Sequence, residues 1–257
     1  MSFNPRLRNW QGRHVWLIGA GHGIGAALAH QLRAAGALLA LSGRNEAALR
    51  AVAADDAHCL VLPLDVTREQ DWLQARGQLL QRWPHIDLVV MLAGDYAAVR
   101  AWQLTPELAR HMVEVNLLGV MYGTAAVVPA LLHQQHGSIA LVASAAGWVG
   151  MPNGLVYGAT KAAVNHFAQT LYLDLRPRGI GVHVVNPGFV ATRLTARNDF
   201  AMPALISAEQ AASAILAGLA RGDFDIHFPR RFSLLLKLAA HLPYRLYFWL
   251  AHRVTGL

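Results

Sequence analysis

The feature that most constrains this chain is an alternation repeated along almost its whole length, in which short, continuously apolar runs are separated by longer amphipathic ones. The short runs cover residues 14–19, 37–42, 59–64, 86–92, 138–143, 181–186 and 224–228; helix-length segments cover 24–35, 46–54, 69–82, 106–134, 155–175 and 208–221. Strands that are apolar on both sides need helices over both faces of their sheet. Strand–helix–strand units repeated in this way predict parallel strands joined by right-handed crossovers. The expected fold is therefore α/β, a doubly wound parallel sheet of seven strands. Thr67, Thr105 and Ser207 stand where helix N-caps are expected.

Composition removes several classes. Only 14% of the 257 residues are charged and the mean hydropathy is +0.30, which excludes a disordered chain. Cys59 is the single cysteine and no Cys/His spacing resembles a zinc site, so the expectation is a reducing, cytoplasmic setting and no metal. The net charge of +7 is concentrated at one end: no carboxylate follows Asp225, whereas Arg230, Arg231, Lys237, Arg245 and Arg253 do. The body is close to balanced, so nucleic acid is not an expected partner. No run reaches the ~18 uninterrupted apolar residues of a membrane span. The best, residues 233–251, is broken by Lys237, His241, Pro243 and Arg245. That tail, residues 229–257, sets basic residues among leucines and aromatics. It reads either as helices lying at an anionic membrane surface, at the inner face of a membrane, or as a helix pair packed over a substrate cleft or a subunit interface.

Open parallel sheets bind ligands beyond the carboxyl ends of their strands. After the first run comes Gly19-Ala20-Gly21-His22-Gly23-Ile24-Gly25, directly followed by a helix. Glycines there bring backbone N–H groups to a pyrophosphate at the helix N-terminus. At the end of the second strand an acidic residue would accept hydrogen bonds from a ribose 2′-hydroxyl. Here Leu41-Ser42-Gly43-Arg44 holds no carboxylate before Glu46, and Arg44 offers a planar fork for a 2′-phosphate. NADP(H) is thus preferred, with NAD(H) as the alternative.

Tyr157 and Lys161 are four apart at the start of a long helical segment, so they share one face. Lysine occurs only at Lys161 and Lys237 among 22 basic residues. Ser144 lies 13 positions before Tyr157, at the mouth of the fifth strand, and Asn116 interrupts a largely apolar helix. A buried mid-helix asparagine must find polar partners or bend the helix.

Over residues of about 10 to 225 this combination resembles the classical short-chain dehydrogenase/reductase family, whose fold is of the Rossmann type. The spacing Gly19, Gly23, Gly25 matches that family's glycine fingerprint, with Ile18 in place of its threonine; Met91 and Leu92 replace the two asparagines of its Asn-Asn-Ala-Gly motif. The resemblance implies a dinucleotide-binding and catalytic domain over residues 1–228, and a catalytic tetrad of Asn116, Ser144, Tyr157 and Lys161. It also implies adenine binding at Asp65 and Val66, and ribose contact at Ala93 and Gly94. Pro187, Gly188 and Val190 would line the nicotinamide pocket, and Thr192 would bind the carboxamide. Tyr157 would exchange a proton with the substrate oxygen, its pKa drawn down by the Lys161 ammonium and the nicotinamide ring. Ser144 would hold that oxygen, Lys161 would also bind ribose hydroxyls, and Asn116 would anchor a relay water. The implied substrate is a small carbonyl or secondary alcohol, with Trp148, Val149, Met151, Phe189, Leu194 and residues 200–206 giving its site an apolar wall. A homodimer or homotetramer is implied through the helices carrying Asn116 and Tyr157. Epimerase or dehydratase chemistry on the same fold, a non-catalytic NADP(H) sensor and a membrane-associated scaffold are the alternatives.

Overall fold

The computed structural model describes residues 2–197, 200 and 202–256. Its seven strands are β1 (His14–Ile18), β2 (Leu38–Ser42), β3 (Cys59–Val61), β4 (Leu88–Met91), β5 (Ser138–Val142), β6 (Gly181–Pro187) and β7 (Asp225–Phe228). They form one sheet in the order β3-β2-β1-β4-β5-β6-β7, and every pairing is parallel. Successive side chains of a strand point to opposite faces. Val15 and Leu17 accordingly enter one core, with α1 (Gly23–Ala34) and α7 (Ala208–Arg221) over it. Trp16 and Ile18 enter the other, covered by α3 (Glu69–Arg82), α5 (Gly119–Gln134) and α6 (Leu155–Leu175). The remaining helices are α2 (Glu46–Ala53), α4 (Pro106–Val113), α8 (Arg230–Ala239) and α9 (Tyr244–Thr255).

Local signals act mostly as their chemistry requires. Ser207 and Gln210 form a reciprocal capping box at α7, and Thr105 accepts from Leu108 N–H at the start of α4. Thr67 does not cap. Its hydroxyl and N–H both go to the Asp65 carboxylate at 2.8 and 3.0 Å, and α3 begins after Arg68 with no side-chain cap. The third strand is shorter than its apolar run, ending at Val61, because it is an edge strand paired only with β2.

The segment 106–134 is helical throughout, but residues Glu114–Leu118 take a π turn between α4 and α5, in which Gly119 N–H reaches back to the Glu114 carbonyl. This is the stretch that carries Asn116, and π turns of this kind recur at functional sites. The whole helix is long and apolar enough to cross a membrane by length and composition, with a mean hydropathy of 1.7 over its best window. Half of that window is buried in this fold, with Val127 and Leu131 in the core, as befits a central core helix.

Candidate active site

β1 and β4 are neighbours at the centre of the sheet, and the strands to either side of them run in opposite sequence order. That reversal opens the crevice in which doubly wound sheets hold ligands. The turn after β1 is tight. Gly19 has φ +91°, and a Cβ there would stand 2.7 Å from the Ala93 nitrogen, so glycine lets the ends of β1 and β4 touch. A Cβ on Gly25 would lie 2.2 Å from the Gly19 oxygen, while one on Gly21 would meet Ala48 at 3.2 Å. His22 is the extended N-cap of α1 and caps nothing with its side chain, and the first turn holds no acidic residue. The opening amides of α1 thus have no side-chain acceptor from the cap, a backbone cradle that fits a pyrophosphate. Ile24 anchors the turn by packing on the core beneath it. Across the crevice stands Thr192, whose Cγ2 would lie 3.1 Å from a Cβ on Gly23.

The adjoining strand ends supply the rest of the edge. Arg44 is exposed just beyond β2. Its neighbours are committed: Asn45 caps α2, and Glu46 pairs with Arg50 at 2.9 Å. Asp65 is pushed upward by burial, but the Thr67 hydrogen bonds, with help from Arg44 and Arg68, leave its pKa below the ordinary carboxylate value. Val66 is buried, and its carbonyl accepts from Trp72 Nε1. Ile18 and Met91, which take the places of polar residues in the family pattern, are both buried in the core instead.

Four polar side chains meet beyond β4 and β5. Gly94 stands between two of them, since a Cβ there would be 3.1 Å from Asn116 Oδ1 and 3.4 Å from Lys161 Nζ. Asn116 is fully buried; its Oδ1 accepts from Asp95 N–H at 2.8 Å and its Nδ2 donates to the Asp95 carbonyl at 2.8 Å. Its side chain therefore fixes the backbone after β4. Lys161 Nζ donates to the Val142 carbonyl at 2.9 Å and sits 5.7 Å from the centre of the Tyr157 ring. Ser144 lies two residues beyond β5, and the turn after it presses on α6, where a Cβ on Gly147 would lie 2.6 Å from the Lys161 carbonyl carbon. That contact brings Ser144 close enough to Tyr157 for its hydroxyl to favour the phenolate. Pro187 closes β6 and offers its carbonyl to Ser144 at 3.4 Å. Gly188 is held to the Phe228 carbonyl at 2.7 Å, and Val190 bridges to Ile206.

Burial raises the pKa of Tyr157, the nearby Ser144 hydroxyl lowers it only in part, and Tyr96 raises it further. Burial lowers Lys161 to about 8. Both groups lose hydration at this depth, and loss of hydration disfavours phenolate and ammonium alike.

Sequence reasoning missed Tyr96, which packs edge-on against Tyr157 with ring centres 5.0 Å apart, and His111, which meets Asp95 at 2.9 Å. The only sequence cue to Tyr96 was its place two residues after Gly94. The tail packs against segments that flank the site, the helix-pair packing that its sequence offered as one reading. Lys237 pairs with Asp225 and lies 4.9 Å over the Trp148 ring, Phe232 packs on Phe189, and Tyr247 donates to the Gly150 carbonyl. A cavity of about 600 Å³ opens between α9 and the segment leading into α6, lined by Trp148, Val149, Met151, Leu155, Tyr247 and Phe248 among others. It reaches α6 at Gly158 and Ala159, but its lining includes neither Tyr157 nor Ser144. Phe189 and Leu194 do not line it either. Phe200 packs edge-on against Phe189, and Ala201, within the 200–206 segment, lies outside the described residues.

Comparison with known proteins gives a consistent picture. A family model described as short chain dehydrogenase matches residues 13–201. An uncharacterized oxidoreductase of Myxococcus xanthus is 32% identical over 246 residues, covering 94% of this chain and 97% of that protein. One from Staphylococcus epidermidis is 33% identical over 204 residues, covering 79% and 89%. Among solved structures, a short-chain dehydrogenase/reductase from Burkholderia phymatum in complex with NAD superposes with TM-score 0.83 at 24% identity, over 91% of this chain and 94% of that one. A 3-ketoacyl-(acyl-carrier-protein) reductase from Brucella melitensis complexed with NADH does so with TM-score 0.78 at 25% identity, over 86% and 99%.

The depressed Lys161 value has a stability consequence. Between about 8 and the ordinary 10.5 the unfolded chain still holds a proton that the folded chain has released, so this residue's contribution to stability rises with pH across that window. Below it, burying the ammonium is a cost. Replacing the charge in Lys161→Met should therefore help most at neutral pH, and its advantage should shrink by roughly 1–3 kcal/mol between about pH 7 and pH 10 in urea unfolding. A difference that does not change with pH would contradict a buried ammonium.

Proposed function

The chain belongs to the short-chain dehydrogenase family and is an oxidoreductase of it; from that premise we propose an NADP(H)-dependent carbonyl reductase or secondary-alcohol dehydrogenase for an apolar substrate. The observation that carries this reading is the gathering of Tyr157, Ser144, Lys161 and Asn116 at the carboxyl edge of the sheet, with Lys161 Nζ 5.7 Å from the centre of the Tyr157 ring.

The site residues fit a dinucleotide. The turn from Gly19 to Gly25 would hold the pyrophosphate, Asp65 and Val66 the adenine, and Ala93 and Gly94 the adenosine ribose. Lys161 would hold the second ribose, and Pro187, Gly188, Val190 and Thr192 the nicotinamide. When bound, the nicotinamide supplies or accepts the hydride. The chain's own work is orientation and proton transfer. Ser144 Oγ holds the substrate oxygen, and Tyr157 Oη gives that oxygen its proton. Burial keeps the phenol protonated at neutral pH, which suits the donor needed in carbonyl reduction. Asn116 acts as a positioning residue, because its side-chain amide is spent on Asp95. Residues 229–257 extend the domain and wall the cleft, and the chain works as a homodimer or homotetramer through α5 and α6.

NADP(H) is favoured by Arg44, which stands where a ribose-binding carboxylate would otherwise be, with Glu46 turned to Arg50. We also propose that the outer faces of α8 and α9 rest on an anionic membrane surface. Leu235, Leu238 and Trp249 are 66%, 65% and 56% exposed there, among Arg231, Arg245 and Arg253. A second copy of the same face would set these cations against one another with no carboxylate after Asp225 to pair them.

Three outcomes follow. Tyr157→Phe should lower turnover of apolar aldehydes and ketones by at least about a thousandfold while NADPH titrated by fluorescence binds as before; retained turnover contradicts the proton role. Arg44→Ala should weaken NADPH about tenfold or more and leave NADH nearly unchanged. Equal losses for the two would remove the basis for NADP(H) preference. The protein should float with vesicles containing phosphatidylglycerol but not with pure phosphatidylcholine, and Trp249→Ser with Leu250→Ser should abolish flotation. Equal behaviour with both vesicles would refute the membrane contact.

A further inference from the structure

At the opposite, amino-terminal end of the sheet, away from the candidate active site, three ligand-bearing side chains converge. His14 opens β1, while His85 and Asp87 lie on the segment that enters β4, and the pairing of Val15 with Leu88 brings them alongside. His14 Nδ1 is 3.4 Å from His85 Nε2. His85 Nε2 is 3.4 Å from Asp87 Oδ2, and His14 Nδ1 is 3.9 Å from the same oxygen. Good hydrogen bonds between such groups would measure about 2.7–3.2 Å. Ligands held about 2.0–2.1 Å from a tetrahedral zinc ion stand about 3.3–3.4 Å from each other, and that is the spacing found for two of the three pairs.

The surroundings hold this geometry. Arg13 donates to Asp87 Oδ1 at 2.8 Å, and the His14 backbone N–H donates to Oδ2 at 2.9 Å, so the carboxylate is fixed in orientation with lone-pair capacity left on Oδ2. Such outer contacts are what orient the ligands of a metal centre. The His14 ring packs against Trp83 at 4.8 Å, and the His85 ring against His136 at 5.2 Å. His14 and Asp87 are buried, whereas the His85 side chain is 35% exposed and gives an ion a way in.

We propose that His14, His85 and Asp87 bind a divalent cation of the Zn²⁺ class, with water in the fourth position. Two imidazoles and one carboxylate suit zinc, whereas calcium and magnesium call for an all-oxygen shell. The ion would tie β1 to β4 at the end remote from the dinucleotide crevice, so its role is to stabilise the fold. The site is assembled from residues 71 positions apart, beyond the reach of a reading based on local Cys/His spacing.

The test uses the full chain, stripped with EDTA and then titrated with Zn²⁺ by equilibrium dialysis and thermal unfolding. The expected result is one tightly held Zn²⁺ per chain and a rise in Tm of about 5–10 °C at a hundredfold excess over Kd. His85→Ala, a change at a partly exposed ring, should weaken that Zn²⁺ at least tenfold and abolish the Tm rise, with NADPH binding unchanged. Asp87→Asn should do the same, and His85→Gln serves if His85→Ala does not fold. An equal Tm rise in the wild-type chain and the His85 variant, which would place the ion on other histidines, overturns the proposal; so does the absence of any rise in the wild-type chain.

Discussion

A sheet covered by helices on both faces leaves little room for polar groups inside its layers, and that constraint orders the rest of this molecule. Every residue of β1, β4, β5 and β6 is buried. Polar groups therefore gather at the strand ends, where the chain leaves the sheet. The carboxyl edge collects the glycine turn, Arg44, Asp65, Ser144 and Thr192. The amino edge collects Arg13, His14, His85 and Asp87. Of the polar side chains buried near the site, Asn116 and Lys161 are each met by backbone: Asn116 by both polar atoms of Asp95, Lys161 by the Val142 carbonyl.

These buried groups are costly, and the cost falls at the candidate active site. Burial takes Lys161 down to about 8 and holds Tyr157 above the ordinary phenol value. The π turn interrupts the regular hydrogen bonding of the longest helix at the point where Asn116 must reach the end of β4. The C-terminal helices pack on the segments that flank the site through Phe232, Lys237 and Tyr247, and leave leucines and tryptophan outward.

Much of this was legible in the sequence, for identifiable reasons. Continuous apolar runs such as residues 138–143 can only be strands buried on both sides, so the alternation carried the sheet, its parallel sense and all seven strands. Glycines, Tyr157 and Lys161 announce themselves because few residue types can replace them. What was not legible depends on long-range contact. Thr67 reads as a helix cap, but the Asp65 carboxylate two residues earlier competes for it. Tyr96, Phe232 and Tyr247 look like ordinary aromatics until the fold sets them against Tyr157, Phe189 and Gly150. The sign of the Tyr157 shift follows from depth of burial, which spacing alone does not reveal.

The central claim is that the carboxyl edge of the sheet carries out hydride transfer with Tyr157 supplying the proton. The most direct measurement is a single turnover with NADPH deuterated at the transferable position, across a series of aldehydes and ketones of increasing apolar length, with the products read by mass spectrometry. The account predicts one deuterium on the carbinol carbon of the alcohol product, with transfer becoming more efficient as the apolar chain lengthens. Tight NADPH binding with no deuterium delivered to any carbonyl would contradict it.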